Sequence, residues 1–88
     1  MKKNLRSYRP TSAFAKSIEF TDDLMNVYLL DGRIIGLPLA WFPRLLAATP
    51  KQRLKYEIGG GGIVLHWPDL DEDLSVAGLL AGADTASS

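Results

Sequence analysis

Met25-Asn26-Val27-Tyr28-Leu29-Leu30-Asp31-Gly32-Arg33-Ile34-Ile35-Gly36-Leu37 is the stretch whose reading decides the fold. Two runs rich in β-branched and apolar side chains flank Asp31-Gly32, and an Asp-Gly pair between such runs marks a β-hairpin. Read as a two-residue type I′ connection, the turn sets Leu30 opposite Arg33. Leu29 then pairs with Ile34 and Val27 with Gly36 on one face, while Tyr28 pairs with Ile35 and Asn26 with Leu37 on the other. Both faces carry apolar groups, whereas a sheet wet on one side alternates cleanly. The second face is therefore expected to be covered, whether by the protein's own helices, a second copy or another protein.

Upstream of the hairpin, Phe14, Ile18 and Phe20 share one face at period two, which predicts a strand over Phe14 to Phe20 before a turn at Thr21-Asp22-Asp23. Downstream the period changes. Trp41, Leu45 and Ala48 lie at helical spacing, and Pro43 fits only in a first helical turn, where its missing N–H is not needed. Thr49-Pro50-Lys51-Gln52 reads as a capping box opening a second short helix, with Thr49 as N-cap and Gln52 as its reciprocal partner. Tyr56 to Ile58 and Ile63 to Trp67 read as another hairpin across Gly59-Gly60-Gly61-Gly62, a run expected to leave the loop mobile. Ser75 caps a last helix that stops at Gly82. The expected fold class is α+β: a small antiparallel sheet of about five strands in the order β-β-β-α-α-β-β-α, with short helices packed on it. Residues 1–12 are expected to be a flexible basic tail, 13–82 a single domain and 83–88 a frayed end.

Composition narrows the chemistry. The 88 residues are 47% hydrophobic and 23% charged, ordinary values for a globular chain, and contain no cysteine, which removes disulfides and thiolate metal sites. The basic Met1 to Pro10 segment is not followed by an apolar run of signal-peptide length, and no stretch reaches the ~20 apolar residues of a membrane helix. A cytoplasmic location is expected. Net charge is zero but unevenly placed. Arg33, Arg44, Lys51, Arg53 and Lys55 fill 32–56 without an acid, and 57–88 carries Glu57, Asp69, Asp71, Glu72, Asp73 and Asp84 without Lys or Arg. Such blocks attract either partners or each other.

No motif carries a complete reaction. The glycine run lacks the Lys-Ser/Thr of a phosphate-binding loop and does not open a helix. Asp69, Asp71 and Asp73 alternate as calcium-loop ligands do, yet Leu74 stands where that loop needs Gly and Leu80 where it needs the closing Glu. His66 could work as a general acid or base with Asp69 or Asp71, but no Cys and no serine in a recognisable elbow supplies a nucleophile. No catalytic residue, metal or cofactor is expected. Trp41 and Trp67 read either as core or as interface anchors, since Trp and Arg are favoured hot-spot residues. The surface residues singled out for a partner are Trp41, Arg44, Arg53, Trp67, Asp69 and Asp71. A nucleic-acid role would rest on the basic segment 44–55 and on Lys2, Lys3, Arg6 and Arg9. The second short helix there runs into a strand and makes a poor recognition helix.

Leu37-Pro38-Leu39-Ala40-Trp41-Phe42-Pro43-Arg44-Leu45-Leu46, Thr49-Pro50-Lys51-Gln52-Arg53 and His66-Trp67-Pro68-Asp69-Leu70-Asp71-Glu72-Asp73-Leu74-Ser75 together resemble a bacterial family named as domain of unknown function 2442, over about residues 14 to 82. The resemblance implies a small α+β fold on antiparallel strands and assigns no catalytic residue. Where the family has an acid after Ser-Val, this chain has Ala77. Relatives are often encoded beside another small protein, an arrangement that has suggested toxin–antitoxin pairs. Some longer relatives add a C-terminal helix-turn-helix that this chain lacks. The leading expectation is a non-catalytic protein-interaction module, in its specific form an antitoxin-like member of such a pair, whose partner is a neighbouring small protein or a second copy. The alternative is a nucleic-acid-binding accessory protein.

Overall fold

Leu29 donates its N–H to the carbonyl of Arg33 at 2.8 Å, and Gly32 donates to the carbonyl of Leu29 at 3.1 Å. In this computed structural model, which describes residues 13–82, the hairpin loop is therefore Leu30-Asp31-Gly32. It is a type I turn closed by a bulge at glycine, not the expected two-residue turn. Only Gly32 adopts a positive φ there, +97°. A type I′ turn would demand the same of Asp31, whose Cβ resists it. Asp31 instead accepts the Arg33 backbone N–H at 3.0 Å and its Nε at 2.9 Å. That backbone bond, helped by the guanidinium, holds its carboxyl below the usual carboxylate value.

The extra loop residue moves the register by one. Strand β2 (Leu24–Leu29) pairs antiparallel with β3 (Ile34–Pro38) as Tyr28 with Ile34, Val27 with Ile35, Asn26 with Gly36 and Met25 with Leu37. A slip of one residue carries a strand's side chains to the opposite face. Met25, Val27, Leu29 and Leu37 are buried and Ile35 packs against the core, while Ile34 points outward and is 56% exposed. The two-faced apolar hairpin is thus corrected to a sheet wet on one side, where Asn26, Tyr28 and Gly36 lie beside Ile34. Strand β1 (Ala15–Phe20) carries a register shift between Ala15 and Ser17, so Ala15 and Ile18 are its buried residues. Ile18 and Phe20 share the core side as their spacing predicts, opposite Val27 and Met25, while the shift near Ala15 puts Ala15 inside in place of Phe14.

Strands β1, β2 and β3 make one sheet in that order. A second sheet, also three-stranded, is built from β4 (Glu57–Gly59), β5 (Val64–Trp67) and β6 (Glu72–Ser75). The α+β class stands, but the expected single sheet of about five strands is two sheets of three. The strand that was not expected is the acidic run itself: β6 pairs with β5, Leu74 opposite Leu65 and Asp73 opposite His66. Between the sheets the chain forms a 3₁₀ turn (Leu39–Trp41) and helices α1 (Pro43–Ala47) and α2 (Pro50–Arg53). Pro43 and Pro50 each start their helix, and the Thr49–Gln52 capping box has both of its bonds, at 2.9 and 3.1 Å. Helix α3 (Val76–Ala81) is capped by the Ser75 hydroxyl and stops at Gly82. The tail expected at 1–12 and the frayed end expected at 83–88 lie outside the described residues.

One apolar cluster joins both sheets and the helices, with Trp67, Phe42, Met25, Leu39, Leu45 and Leu65 fully enclosed. The sheets meet at the end of the glycine run. Ala15 donates its N–H to the Gly62 carbonyl at 2.8 Å, and Val76 donates to Ile63 at 2.9 Å. Gly62 is buried with φ +119°, and a Cβ there would lie 2.7–2.9 Å from Phe14 Cβ and from Ala15 N and O. This end of the run is clamped, in contrast to the mobile loop expected from four glycines. Gly62→Ala should therefore cost at least about 1–3 kcal/mol of stability in urea unfolding, since it combines a disfavoured φ with a backbone clash. Gly59→Ala, where nothing lies within 4 Å of the added carbon, should stay within about 0.5 kcal/mol of the parent.

Candidate functional site

The basic and acidic blocks meet within the fold. Arg44 on α1 donates through Nη1 to the carbonyl oxygen of Asp71 and lies 3.9 Å from the Glu72 carboxylate. Lys55 lies 3.9 Å from Asp69. Asp71 contributes its backbone: it closes the second 3₁₀ turn (Pro68–Leu70) in the left-handed region at φ 54°, a conformation Asp tolerates better than most residues. Burial holds the Glu72 carboxyl above the ordinary value, against the pull of Arg44, and the neighbouring Asp73 and Asp71 push the same way as burial. The Lys55–Asp69 pair, exposed on both sides, is worth about 0–1 kcal/mol.

Arg53 and Trp67 have structural duties. Arg53 Nε donates to the Leu45 carbonyl at 2.8 Å and Nη2 to the Leu46 carbonyl at 3.0 Å. These are carbonyls of the last turn of α1; that of Leu45 also accepts the Ala48 N–H at 3.2 Å, so Arg53 adds a second bond there. The Arg53 carbonyl in turn accepts the Trp67 indole N–H at 3.0 Å. Trp67 has no exposed surface and stacks at a tilt on Tyr56, ring centroids 6.3 Å apart. As a surface anchor Trp67 is corrected: its ring fills the core and its one polar atom is already bonded. Trp41 is the reverse. Phe42, not Trp41, turns into the core beside Leu39 and Leu45, because the chain passes through a 3₁₀ turn before α1 and the helical spacing of Trp41 with Leu45 is never realised. Trp41 is 48% exposed, and Leu46 on the same helical stretch is exposed to the same degree.

On the outer face of the second sheet, register places Glu57, His66 and Asp73 side by side across the three strands. His66 Nδ1 bonds Asp73 Oδ1, not Asp69 or Asp71. That pairing depends on β6, whose strand geometry was not read from its charged composition. The three residues border a shallow trough of about 690 Å³ with Gly59, Val64 and Ser75. The Ser75 hydroxyl accepts the Gly78 N–H at 2.9 Å as the cap of α3. Among the described residues no group of three or more His, Asp or Glu side chains is arranged to hold a metal ion.

The profile of the family described as "Protein of unknown function (DUF2442)" matches residues 15–85. The chain belongs to this family. It is similar to a crystal structure of a protein of unknown function from Rhodospirillum rubrum ATCC 11170, at 31% identity and a TM-score of 0.73, over 85% of this chain and 93% of that one. It is also similar to the solution structure of an uncharacterised protein from Chromobacterium violaceum, TM-score 0.71, over 98% of this chain and 77% of that one. The 23% identity of the second speaks to the fold alone. Among proteins with curated descriptions, none matches. Among the described residues of this DUF2442 member, no helix is long and apolar enough to cross a membrane.

Two outcomes check the site. The Asp73 hydrogen bond, with the negative charge of Asp73, Glu57 and Asp71, holds the His66 imidazole above its ordinary 6.5, against a smaller opposing effect of burial. A raised folded value means that the pairing stabilises the protein fully below the unfolded pKa near 6.5, and that this contribution fades as pH rises through the folded value. Urea titrations between about pH 5 and pH 9 should show that loss in the wild type and less of it in Asp73→Asn. NMR titration of His66 should move back toward 6.5 in that variant; an unchanged titration defeats the pairing. Separately, Arg53→Ala should cost about 1.5–3 kcal/mol for the lost charge-assisted bonds. Arg53→Lys should recover little of it in the same unfolding assay, because an ammonium cannot reproduce the fork.

Proposed function

We propose that this DUF2442 protein is a non-catalytic protein-interaction module whose contact surface is the helical stretch carrying Trp41. The observation that carries this reading is the contrast between the two tryptophans. Trp67 is enclosed and hydrogen-bonded, whereas Trp41 leaves half its surface in water although its neighbour Phe42 is buried. A large aromatic kept outside a small core is the type of side chain that anchors protein interfaces, particularly beside an arginine. Arg44 and Leu46 supply that setting on α1. In its most specific form the reading makes the protein the antitoxin-like half of a two-protein system, with the partner encoded next to it.

The nucleic-acid reading loses ground on the same geometry. Arg53 is occupied by two helix carbonyls, and Arg44 and Lys55 each face a carboxylate. The basic segment therefore presents less free positive charge than its composition implies, and phosphate binding depends on free cations.

Co-purification from the native host, followed by co-expression with the product of the adjacent gene, tests the proposal. A stoichiometric partner is expected, and Trp41→Ala should weaken its binding by about thirtyfold or more, the scale of a hot-spot truncation. Because Trp41 is half-exposed, the variant should stay folded, which urea unfolding checks. Absence of any stoichiometric partner, or a partner retained undiminished by Trp41→Ala, overturns the reading.

A further inference from the structure

The first sheet has two edges of different character. On the β1 edge the backbone is occupied: Ala15 N–H bonds Gly62, and the Tyr56 hydroxyl accepts from Ile18 N at 3.1 Å and lies 3.4 Å from the Ile18 carbonyl. Among the described residues no strand lies beyond β3. The Leu29–Arg33 bond fixes the phase of the ladder, so Ile35 and Leu37 bond β2 while the N–H and C=O of Ile34 and Gly36 point outward. Proteins usually blunt such an edge with charge, proline or a bulge. Strand β3 reads Ile34-Ile35-Gly36-Leu37-Pro38, with no charge, an unbroken register to β2, and only the terminal Pro38 as a blunting device.

We infer that the β3 edge is a self-association site, where a second copy of this chain adds its own β3 antiparallel about a two-fold axis at Ile35. The inference concerns a surface separate from Trp41 and stands independently of the reading above. What selects a second copy is the self-matching of the free groups. An axis at Ile35 sets Ile34 opposite Gly36 of the other copy and Gly36 opposite its Ile34, and about four inter-chain N–H···O=C bonds close. Shifting the axis to Gly36 would put Pro38 opposite Ile34. Pro38 has no N–H, and as N-cap of the 3₁₀ turn its carbonyl already serves that turn. Shifting it to Ile34 would run Gly36 against Gly32, which the turn holds at φ +97°.

The side chains agree with the same axis. On the wet face, Ile34 of each copy stands over a residue without a side chain, so the two isoleucines can lean together on the diagonal. On the inner face Ile35 meets Ile35 of the other copy directly, continuing the apolar side of the sheet. Zero net charge leaves no overall repulsion between copies. A foreign strand could close the same backbone bonds, but it would have to bring both a residue without a side chain opposite Ile34 and an apolar one opposite Ile35, which a second copy supplies by symmetry.

Sedimentation of the purified full chain over a range of concentrations tests this, together with hydrogen exchange. The wild type should show a reversible monomer–dimer equilibrium. Protection of the Ile34 and Gly36 amides should rise with concentration while Ile35 and Leu37, bonded to β2, stay protected throughout. Ile34→Lys, at an exposed position that brings two ammonium groups together only in the dimer, should weaken self-association at least about tenfold. Leu46→Lys and Trp41→Ala should leave it unchanged, so loss of the partner and loss of the dimer are read separately. A wild type that stays monomeric, a dimer insensitive to Ile34→Lys, or Ile34 and Gly36 exchange independent of concentration overturns the inference.

Discussion

Gly62 lies against the backbone of Ala15, and the two sheets are joined through that contact. The approach is close enough that any Cβ at position 62 would overlap Phe14 Cβ and the main chain of Ala15, atoms that no rotamer change can move aside. The carbonyl of Gly62 accepts from Ala15, and the next residue, Ile63, accepts from Val76 at the start of α3. One turn thus holds β1 on one side and the start of the last helix on the other. The Tyr56 hydroxyl adds a second clasp at Ile18. These bonds give the outer edge of β1 partners from the second sheet without a continuous ladder. Trp67 and Leu65 of β5 can then share a core with Met25 and Val27 of β2.

The charge pattern follows from this arrangement. Folding the second sheet against the helical segment carries the acidic run 69–73 alongside Arg44 and Lys55. Blocks that look like two binding surfaces in the sequence are partly opposite walls of one seam. The seam's ion pairs are loose, each at 3.9 Å, and contribute little. The backbone bonds made by Arg44 and Arg53 matter more, because each is charge-assisted and falls on the carbonyl of a helix end or of a left-handed residue. The same cations are the ones a nucleic acid would need.

Features governed by local chemistry were legible in the sequence. Pro43, Pro50, the Thr49–Gln52 box, Ser75 and Gly82 each mark a helix end by a backbone requirement that only a few residue types meet, and each stands where its type predicts. Features governed by long-range pairing were not. Asp31-Gly32 announces a hairpin but serves equally as two central residues or as the last two of three, and the choice turns on which residues take positive φ. Strand β6 is concealed by its charges: an edge strand with one wet face needs only Leu74 inside, and a single apolar position has no period. His66 could therefore be picked out, but its partner Asp73 could not. Trp41 and Phe42 are adjacent, and which one enters the core depends on a 3₁₀ turn that helical spacing cannot anticipate.

The register of one hairpin decides where this protein can meet others. With the two-residue turn, Leu37 and Ile35 would lie on the face away from Leu29 and Val27, and a broad apolar sheet face would need a cover. With the bulged turn, those side chains go inside together, and the outer face becomes polar apart from Ile34 and the half-exposed Leu24. The demand for a cover over the sheet disappears. What remains is narrower and more directional. One is an exposed indole on a short helical stretch, where binding would depend on shape and a few contacts. The other is a strand edge, where binding would depend on backbone groups aligned to a fixed register. The main-chain groups of Ile34 and Gly36 point outward with either turn, because Arg33 closes the ladder to β2 in both; what the added loop residue changes is the side chains, with Ile35 against the core and Ile34 outside. Core packing and the side chains that flank the free edge are thus two results of one turn conformation.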